Sequence, residues 1–342
     1  AGAYHHVAAQ PLLRHGLPDG FVDNLLLDHE GGLWAGGMHG LAYLPPDWAH
    51  IRYLTRTPED PDSLVPGYYS AVAARGDGHV WIAGKDGRID RMDLATGKVR
   101  HLPVQVPQGR AVYSMAEDAR GRLWVCSVSG AFVIDGDRVT PVHAPMAERI
   151  VAADDGTTYL QVEDGVFAYD PDTLKAHAIV FDERAKNATI TDMRLRGGVL
   201  WFTTTAGLLR WAPGDARASF VDGVKAVRYD ALDLRGDRLW LLDSENLYAF
   251  RLEGGRAAPA GSYPLYREHA INDVLAMRGD SLGRVWFFSR SGLWRYDTAN
   301  GSVRELGLEQ GLPEGEFTNS SFAETPDGHV FAPTGGGVAA FV

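Results

Sequence analysis

Apolar and polar residues alternate along the chain in short runs, and turns containing Gly, Asp or Asn separate the runs. One signature keeps returning, a Gly-containing polar turn followed by an aliphatic and an aromatic residue. It reads Gly31-Gly32-Leu33-Trp34, Gly78-His79-Val80-Trp81, Gly121-Arg122-Leu123-Trp124 and, in degenerate form, Gly156-Thr157-Thr158-Tyr159. It continues as Gly198-Val199-Leu200-Trp201, Gly236-Asp237-Arg238-Leu239-Trp240, Gly283-Arg284-Val285-Trp286 and Gly328-His329-Val330-Phe331. The eight aromatic marks are 47, 43, 35, 42, 39, 46 and 45 residues apart, so the repeat fills nearly all of the 342 residues.

Within a unit the mark belongs to the second of four runs. An alternating run such as Val22 to Asp28 or Ile271 to Arg278 precedes it. A third follows, as in Gly165-Val166-Phe167-Ala168-Tyr169-Asp170 or Gly292-Leu293-Trp294-Arg295-Tyr296-Asp297. After a turn such as Asp93-Leu94-Ala95-Thr96-Gly97-Lys98 comes a fourth, Val99-Arg100-His101-Leu102. Four short strands joined by tight turns make one antiparallel sheet, and no segment holds a helical period for as long as ten residues. Repeated four-stranded sheets of this length predict an all-β fold, a β-propeller of four-stranded antiparallel blades, with the recurrent Trp filling the gap between neighbours. We count eight blades in a single domain over residues 1–342. Seven is the alternative count, because the Tyr159 unit lacks its Trp and follows the previous mark by only 35 residues. The last unit ends at Val342 after three runs, so an N-terminal strand, Tyr4-His5-His6-Val7, is expected to close the ring.

Composition narrows the functional classes. The chain is 45% hydrophobic, enough for a large core, while 33 Lys and Arg against 44 Asp and Glu give a formal charge of −11. An acidic chain without a basic cluster argues against nucleic acid as a partner. The single Cys126 removes internal disulfides and CxxC metal or redox motifs, and its alternating surroundings predict a buried thiol. No apolar run reaches the roughly 18–20 residues of a membrane helix.

The repeats resemble the two-component regulator propeller family. The likeness rests on Asp28-His29-Glu30-Gly31-Gly32-Leu33-Trp34-Ala35-Gly36-Gly37, Val80-Trp81-Ile82-Ala83-Gly84 and Asp118-Ala119-Arg120-Gly121-Arg122-Leu123-Trp124-Val125. His15-Gly16-Leu17-Pro18-Asp19-Gly20-Phe21-Val22 looks like the start of such propellers, and Gly311-Leu312-Pro313-Glu314-Gly315-Glu316-Phe317-Thr318-Asn319 like their closing blade. The resemblance implies an extracytoplasmic, periplasmic sensor module of an inner-membrane receptor, and a chain that is a fragment of that receptor. It also implies a small-molecule ligand, a homodimer in the parent receptor, and a histidine kinase or diguanylate cyclase output domain outside this chain.

Counting five residues upstream of the Asp28-like position gives a polar ring: Asp23, Ser70, Tyr113, Arg149, Thr191, Asp230, Asp273 and Asn319. Two residues on, the positions are apolar but for Ser321, as expected at the mouth of an axial channel. Loops entering the same strands add Tyr68, Tyr69, Tyr229 and Asn272. The expected ligand-binding set is therefore Asp23, Tyr69, Tyr113, Arg149, Tyr229, Asp230, Asn272, Asp273 and Asn319, with aromatic faces and amides suited to a saccharide or peptide fragment. A water-filled channel and ordinary packing explain the same residues. Asp23, Asp192, Asp230 and Asp273 lie on different units without a DxDxD loop, and His residues form no HExxH, so neither a metal nor a cofactor is expected. No Gly-x-Ser-x-Gly elbow occurs, and catalysis is not expected. The alternatives are a protein-interaction scaffold and a propeller enzyme like the streptogramin lyases, for which no His/Glu set can be placed. The Asp93 and Asp297 turns resemble hairpins of quinoprotein dehydrogenases, but the Trp expected after the turn is absent.

Overall fold

The computed structural model describes residues 22–29, 32–44, 51–56, 60–65, 67–76, 78–107, 111–143, 146–163, 165–269, 271, 274–279, 283–289, 292–307, 312, 317, 322–325 and 328–341. Among the described residues the eight repeats give eight antiparallel sheets, seven of four strands and one of three. In the sheet of residues 112–143 the order is sequential: Val112–Glu117, Leu123–Ser127, Gly130–Asp135 and Arg138–His143. Gly121 enables the first turn because its φ of 74° lies in the left-handed region, where a side chain would be strained. In the later turns Asp93 Oδ1 accepts both the backbone N–H and the hydroxyl of Thr96 at 2.7 Å, and Asp170 holds Thr173 the same way. The Thr-containing turns read in the sequence are thus Asp-anchored hairpins. Among the described residues the one α-helix is Leu265–His269, and no helix is long and apolar enough to cross a membrane.

We number the four-stranded sheets as blades 1 (69–105), 2 (112–143), 3 (147–178), 4 (190–220), 5 (231–263) and 6 (274–306). Blade 7 combines 323–341 with Ile51–Leu54. Both faces of a blade are apolar, and seven hydrophobic clusters join them in turn. Leu123 and Phe132 meet Ala83 and Ile89 between blades 1 and 2, and Trp124 and Cys126 meet Leu160 and Tyr169 between 2 and 3. The series runs through Phe202 with Tyr159, Leu241 with Trp201, and Phe287 with Trp240 to Phe341 with Phe288. Val72 and Ile82 of blade 1 then pack on Phe331 and Val338 of blade 7, which closes the circle. The eight sheets agree with the eight blades counted in the sequence, and among the described residues the clusters link the seven four-stranded ones.

The remaining sheet, Asn24–Leu27, Leu33–Gly37 and Gly40–Leu44, gives no described residue to these clusters. Blades 1 and 7 meet in the last of these clusters. The remaining sheet's side chains are correspondingly bare: Leu25, Leu26 and Leu27 are 63–69% exposed. The closing strand comes from the N-terminal part of the chain, as expected, but it is Ile51–Leu54. Val338 pairs with Leu54 and Ala339 with Tyr53, and the Tyr53 hydroxyl lies 3.1 Å from that of Thr334. Tyr4–Val7 lie outside the described residues.

Candidate functional site

The first strands of successive blades lie side by side and line the axis. Each ends near the repeat's Asp position. In two repeats the Asp there anchors the Trp mark. Asp28 Oδ2 accepts the Trp34 indole N–H at 2.9 Å, and Asp118 Oδ2 accepts that of Trp124 at 2.9 Å. Burial opposes the charge of Asp118, but bonds from Trp124, Arg122 and Arg120 outweigh it and hold the carboxyl below the usual carboxylate range.

In the last three blades this position reads Arg235, Arg278 and Glu324, and these side chains turn to one another instead. Arg278 spans both neighbours, donating from Nη1 to Asp233 Oδ1 at 2.6 Å and from Nη2 to Glu324. Arg235 of blade 5 reaches past blade 6 to Glu324 of blade 7, and its Nε donates to the Gly279 carbonyl at 2.5 Å. Asp233 Oδ2 accepts the Gly279 N–H at 2.8 Å.

A second group adjoins the first. Arg194 Nη1 lies 3.1 Å and Arg149 Nε 3.8 Å from Asp192 Oδ1, and Asp192 Oδ2 accepts the Leu232 N–H at 3.3 Å. Phe322 of blade 7 joins the two groups: the guanidiniums of Arg194, on blade 4, and Arg278 lie 4.8 and 5.1 Å from its ring centroid. Blades 4 and 7 are not neighbours, so this contact bridges the axis. Phe322 also stacks on Phe288 at 5.7 Å. Burial pulls the Arg194 guanidinium below its usual range, with Arg278 and Arg149 adding to the effect and Asp192 and Asp233 opposing it. For Arg278 burial acts the same way but is outweighed by Asp233 and Glu324, and its pKa is raised. Beside Arg278, a cavity of about 70 Å³ is also lined by Arg235, Arg284, Trp286 and Phe288. That is well below the ~300–1,000 Å³ of a drug-sized site. A larger cleft, about 400 Å³, lies by Ser219 and Phe220 of the outer strand of blade 4.

The sequence-predicted residues divide. Arg149 belongs to the axial cluster and also donates to Gln161 Oε1 at 3.3 Å. Tyr113 is half-buried on the first strand of blade 2. Asp230 is half-buried and paired with Arg228 at 2.7 Å. Asp23 is exposed beside the three-stranded sheet. Tyr69 and Tyr229 correct the expectation: they are 1% and 2% exposed and belong to the clusters between blades. The Tyr69 hydroxyl bonds the Val65 carbonyl, and burial first of all pushes both phenols up to about 12. Both side chains pack between blades. Asn272, Asp273 and Asn319 lie outside the described residues. Sequence counting missed Arg194, Asp233, Arg235, Arg278, Phe322 and Glu324. The available signal was the replacement of the repeat's Asp by Arg235, Arg278 and Glu324. No group of three metal-ligating side chains able to hold an ion occurs among the described residues.

Residues 107–129 match the family model described as "Two component regulator propeller", which bears out the resemblance read from the repeats. No curated protein matches the sequence. Among solved structures, the extracellular domain of a hybrid two component system from B. thetaiotaomicron is similar at 16% identity and a TM-score of 0.69. The match covers 95% of this chain and 46% of that one. A second such extracellular domain from the same organism matches at 13% identity and a TM-score of 0.63, over 98% of this chain and 48% of that chain. The chain therefore spans about half the length of these ectodomains. Virginiamycin B lyase from Staphylococcus aureus is similar at 15% identity and a TM-score of 0.62, over 85% of this chain and 98% of that one. At such identities the likeness is one of β-propeller fold.

Proposed function

We propose that this ring is a ligand-binding sensor module on the extracytoplasmic, periplasmic side of a bacterial transmembrane signalling protein. It takes a small molecule, a saccharide or peptide fragment, at the mouth of its axis. The observation that carries the reading is the charged cluster across the axis, where side chains of blades 3 to 7 converge. A ligand touching several blades at once can favour one arrangement of them over another, and differential affinity of that kind is what a sensor requires. The match to the regulator propeller family and the likeness to ectodomains of two component systems support it. The same likeness is the reason to expect a kinase or cyclase output domain and a dimer in the parent receptor.

The test is a thermal-shift screen of the purified chain against saccharides and short peptides, since a ligand of the folded state raises the melting temperature with its concentration. One responding class, with the response weakened by Arg149→Ala and Tyr113→Ala in folded protein, supports a sensor. A flat screen refutes the small-molecule site and leaves an interaction scaffold.

A further inference from the structure

The axial cluster sets four guanidiniums, Arg149, Arg194, Arg235 and Arg278, against three carboxylates, Asp192, Asp233 and Glu324. Among the described residues this is a local positive excess of one, with Glu148, bound to Gln161, adjoining it. The excess is centred on Arg194. Arg235 and Arg278 each bond a carboxylate, and Arg149 bonds Gln161 and lies beside Asp192. Arg194 engages its neighbours through Nη1 alone, with Asp192 and, at 3.4 Å, the Met193 carbonyl. Its Nε and Nη2 are buried without a hydrogen-bond partner among the described residues. These two nitrogens form one edge of the guanidinium and point two N–H bonds in parallel, the fork that matches both oxygens of a carboxylate. Buried donors in that state are costly unless a partner meets them.

We propose that this edge of Arg194 is a carboxylate site, so that the ligand of the axis carries a carboxylate. The inference rests on the reading of the axis as a ligand site and names the chemistry it selects. Phe322 lies against the face of the Arg194 guanidinium at 4.8 Å, so the carboxylate meets the edge in the guanidinium plane, beside that ring. The bidentate pair forms while Nη1 stays on Asp192, so the ligand completes an existing chain of charges and neutralises the excess. A free acidic sugar and the C-terminus of a peptide share this group.

Calorimetric titration of the intact chain separates these sources with two matched pairs: glucuronate against glucose, and trialanine against trialanine amide. The expected result is binding of one or both acids, at least tenfold weaker binding of the neutral partner, and a loss of about tenfold or more in Arg194→Gln. Arg194→Lys keeps the charge but not the fork and is expected to lose affinity similarly. It carries the test if the Gln variant does not fold. Arg120→Gln, on the exposed side of blade 2, is expected to bind as the parent does. Equal binding of acids and neutral partners, or unchanged affinity in Arg194→Lys, overturns the carboxylate site while leaving an axial ligand site standing. No binding by any of the four probes, together with a flat thermal-shift screen, brings down both.

Discussion

The indole N–H of Trp81, on blade 1, donates to Glu117 of blade 2 at 2.7 Å, whereas the next residue, Asp118, accepts the indole of Trp124 within blade 2. Two consecutive carboxylates thus serve the Trp marks of two blades, one tying a blade together internally and the other tying it to its neighbour. His79 lies 2.9 Å from the same Glu117 oxygen, and Arg91 donates to His79 Nδ1 at 2.8 Å, which assigns the ring proton to Nε2. Glu117→Ala is expected to leave the Trp81 and His79 donors without this acceptor in a buried site, at about 1–3 kcal/mol for each. The readout is the urea midpoint by tryptophan fluorescence. Glu117→Gln keeps an acceptor oxygen and should lose less; equal midpoints for all three proteins would show that the bond between blades contributes nothing.

Asp118 predicts a pH dependence with a definite sign. Its folded pKa lies below the ordinary carboxylate value, so the unfolded chain takes up the proton first as pH falls. The stability it contributes is complete above about pH 4 and is lost as pH drops below that through the folded pKa. Asp118→Asn is expected to be less stable at pH 7 and to lose less on acidification, so the two melting curves converge toward pH 3. Parallel curves would show that other carboxylates govern the acid limb.

The strands were legible because each Trp mark follows a turn that needs Gly and precedes an alternating run. Val80-Trp81-Ile82 falls inside His79–Gly84, and Gly292–Asp297 begins at the Gly that opened the run. The axial residues were harder to place. Counting along the first strands assumes an unbroken period of two, yet the register shifts at Tyr69/Ala71, Ala147/Arg149, Ile190/Asp192 and Val274/Ala276. A bulge at the start of a strand changes which residues share a face, and Tyr69, read from the sequence as a loop residue, is the first residue of such a strand and is buried. The closing strand was ambiguous for another reason. Tyr4–Val7 is the run expected from the sequence, whereas Ile51–Leu54 pairs with Val338–Phe341, and no motif marks a short apolar run as an edge strand. The sequence did carry Arg235, Arg278 and Glu324 at the repeat's Asp position, but their mutual contacts arise only when the ring closes.

Cys126 reports on the seam between blades 2 and 3. It is fully buried beside Trp124 and Leu160, and burial, with a smaller contribution from Glu148, pushes its thiol well above the usual range. A shielded, protonated thiol does not react. Labelling by a disulfide reagent at pH 8 is expected to be negligible in the native protein and to follow unfolding as urea rises. Trp124→Ala, a core truncation that costs about 3–5 kcal/mol, should shift that labelling to lower urea. Stoichiometric labelling in native buffer would place the thiol at the surface and contradict the packing of this seam.

Two truncations test how the ring is closed. The sheet of Asn24–Leu27, Leu33–Gly37 and Gly40–Leu44 gives no described residue to the seven clusters, whereas Ile51–Leu54 completes blade 7 by pairing with Val338–Phe341. Removing residues 1–44 is therefore expected to leave the cooperative melt nearly unchanged and to make the protein less prone to associate. It deletes Leu25, Leu26, Leu27, Met38 and Leu41, all more than 60% exposed, from the surface. Removing residues 1–56 also takes away the closing strand. That strips Tyr53 from the cluster between blades 6 and 7 and Leu54 from the one between blades 7 and 1, and exposes the backbone edge of Val338–Phe341. An opened ring has two unpaired ends, so the second truncation should melt lower and become sensitive to proteolysis in blade 7 first. If instead the shorter truncation destabilises as much as the longer, the sheet of residues 24–44 is itself a blade of the ring, and the closed circle has eight members.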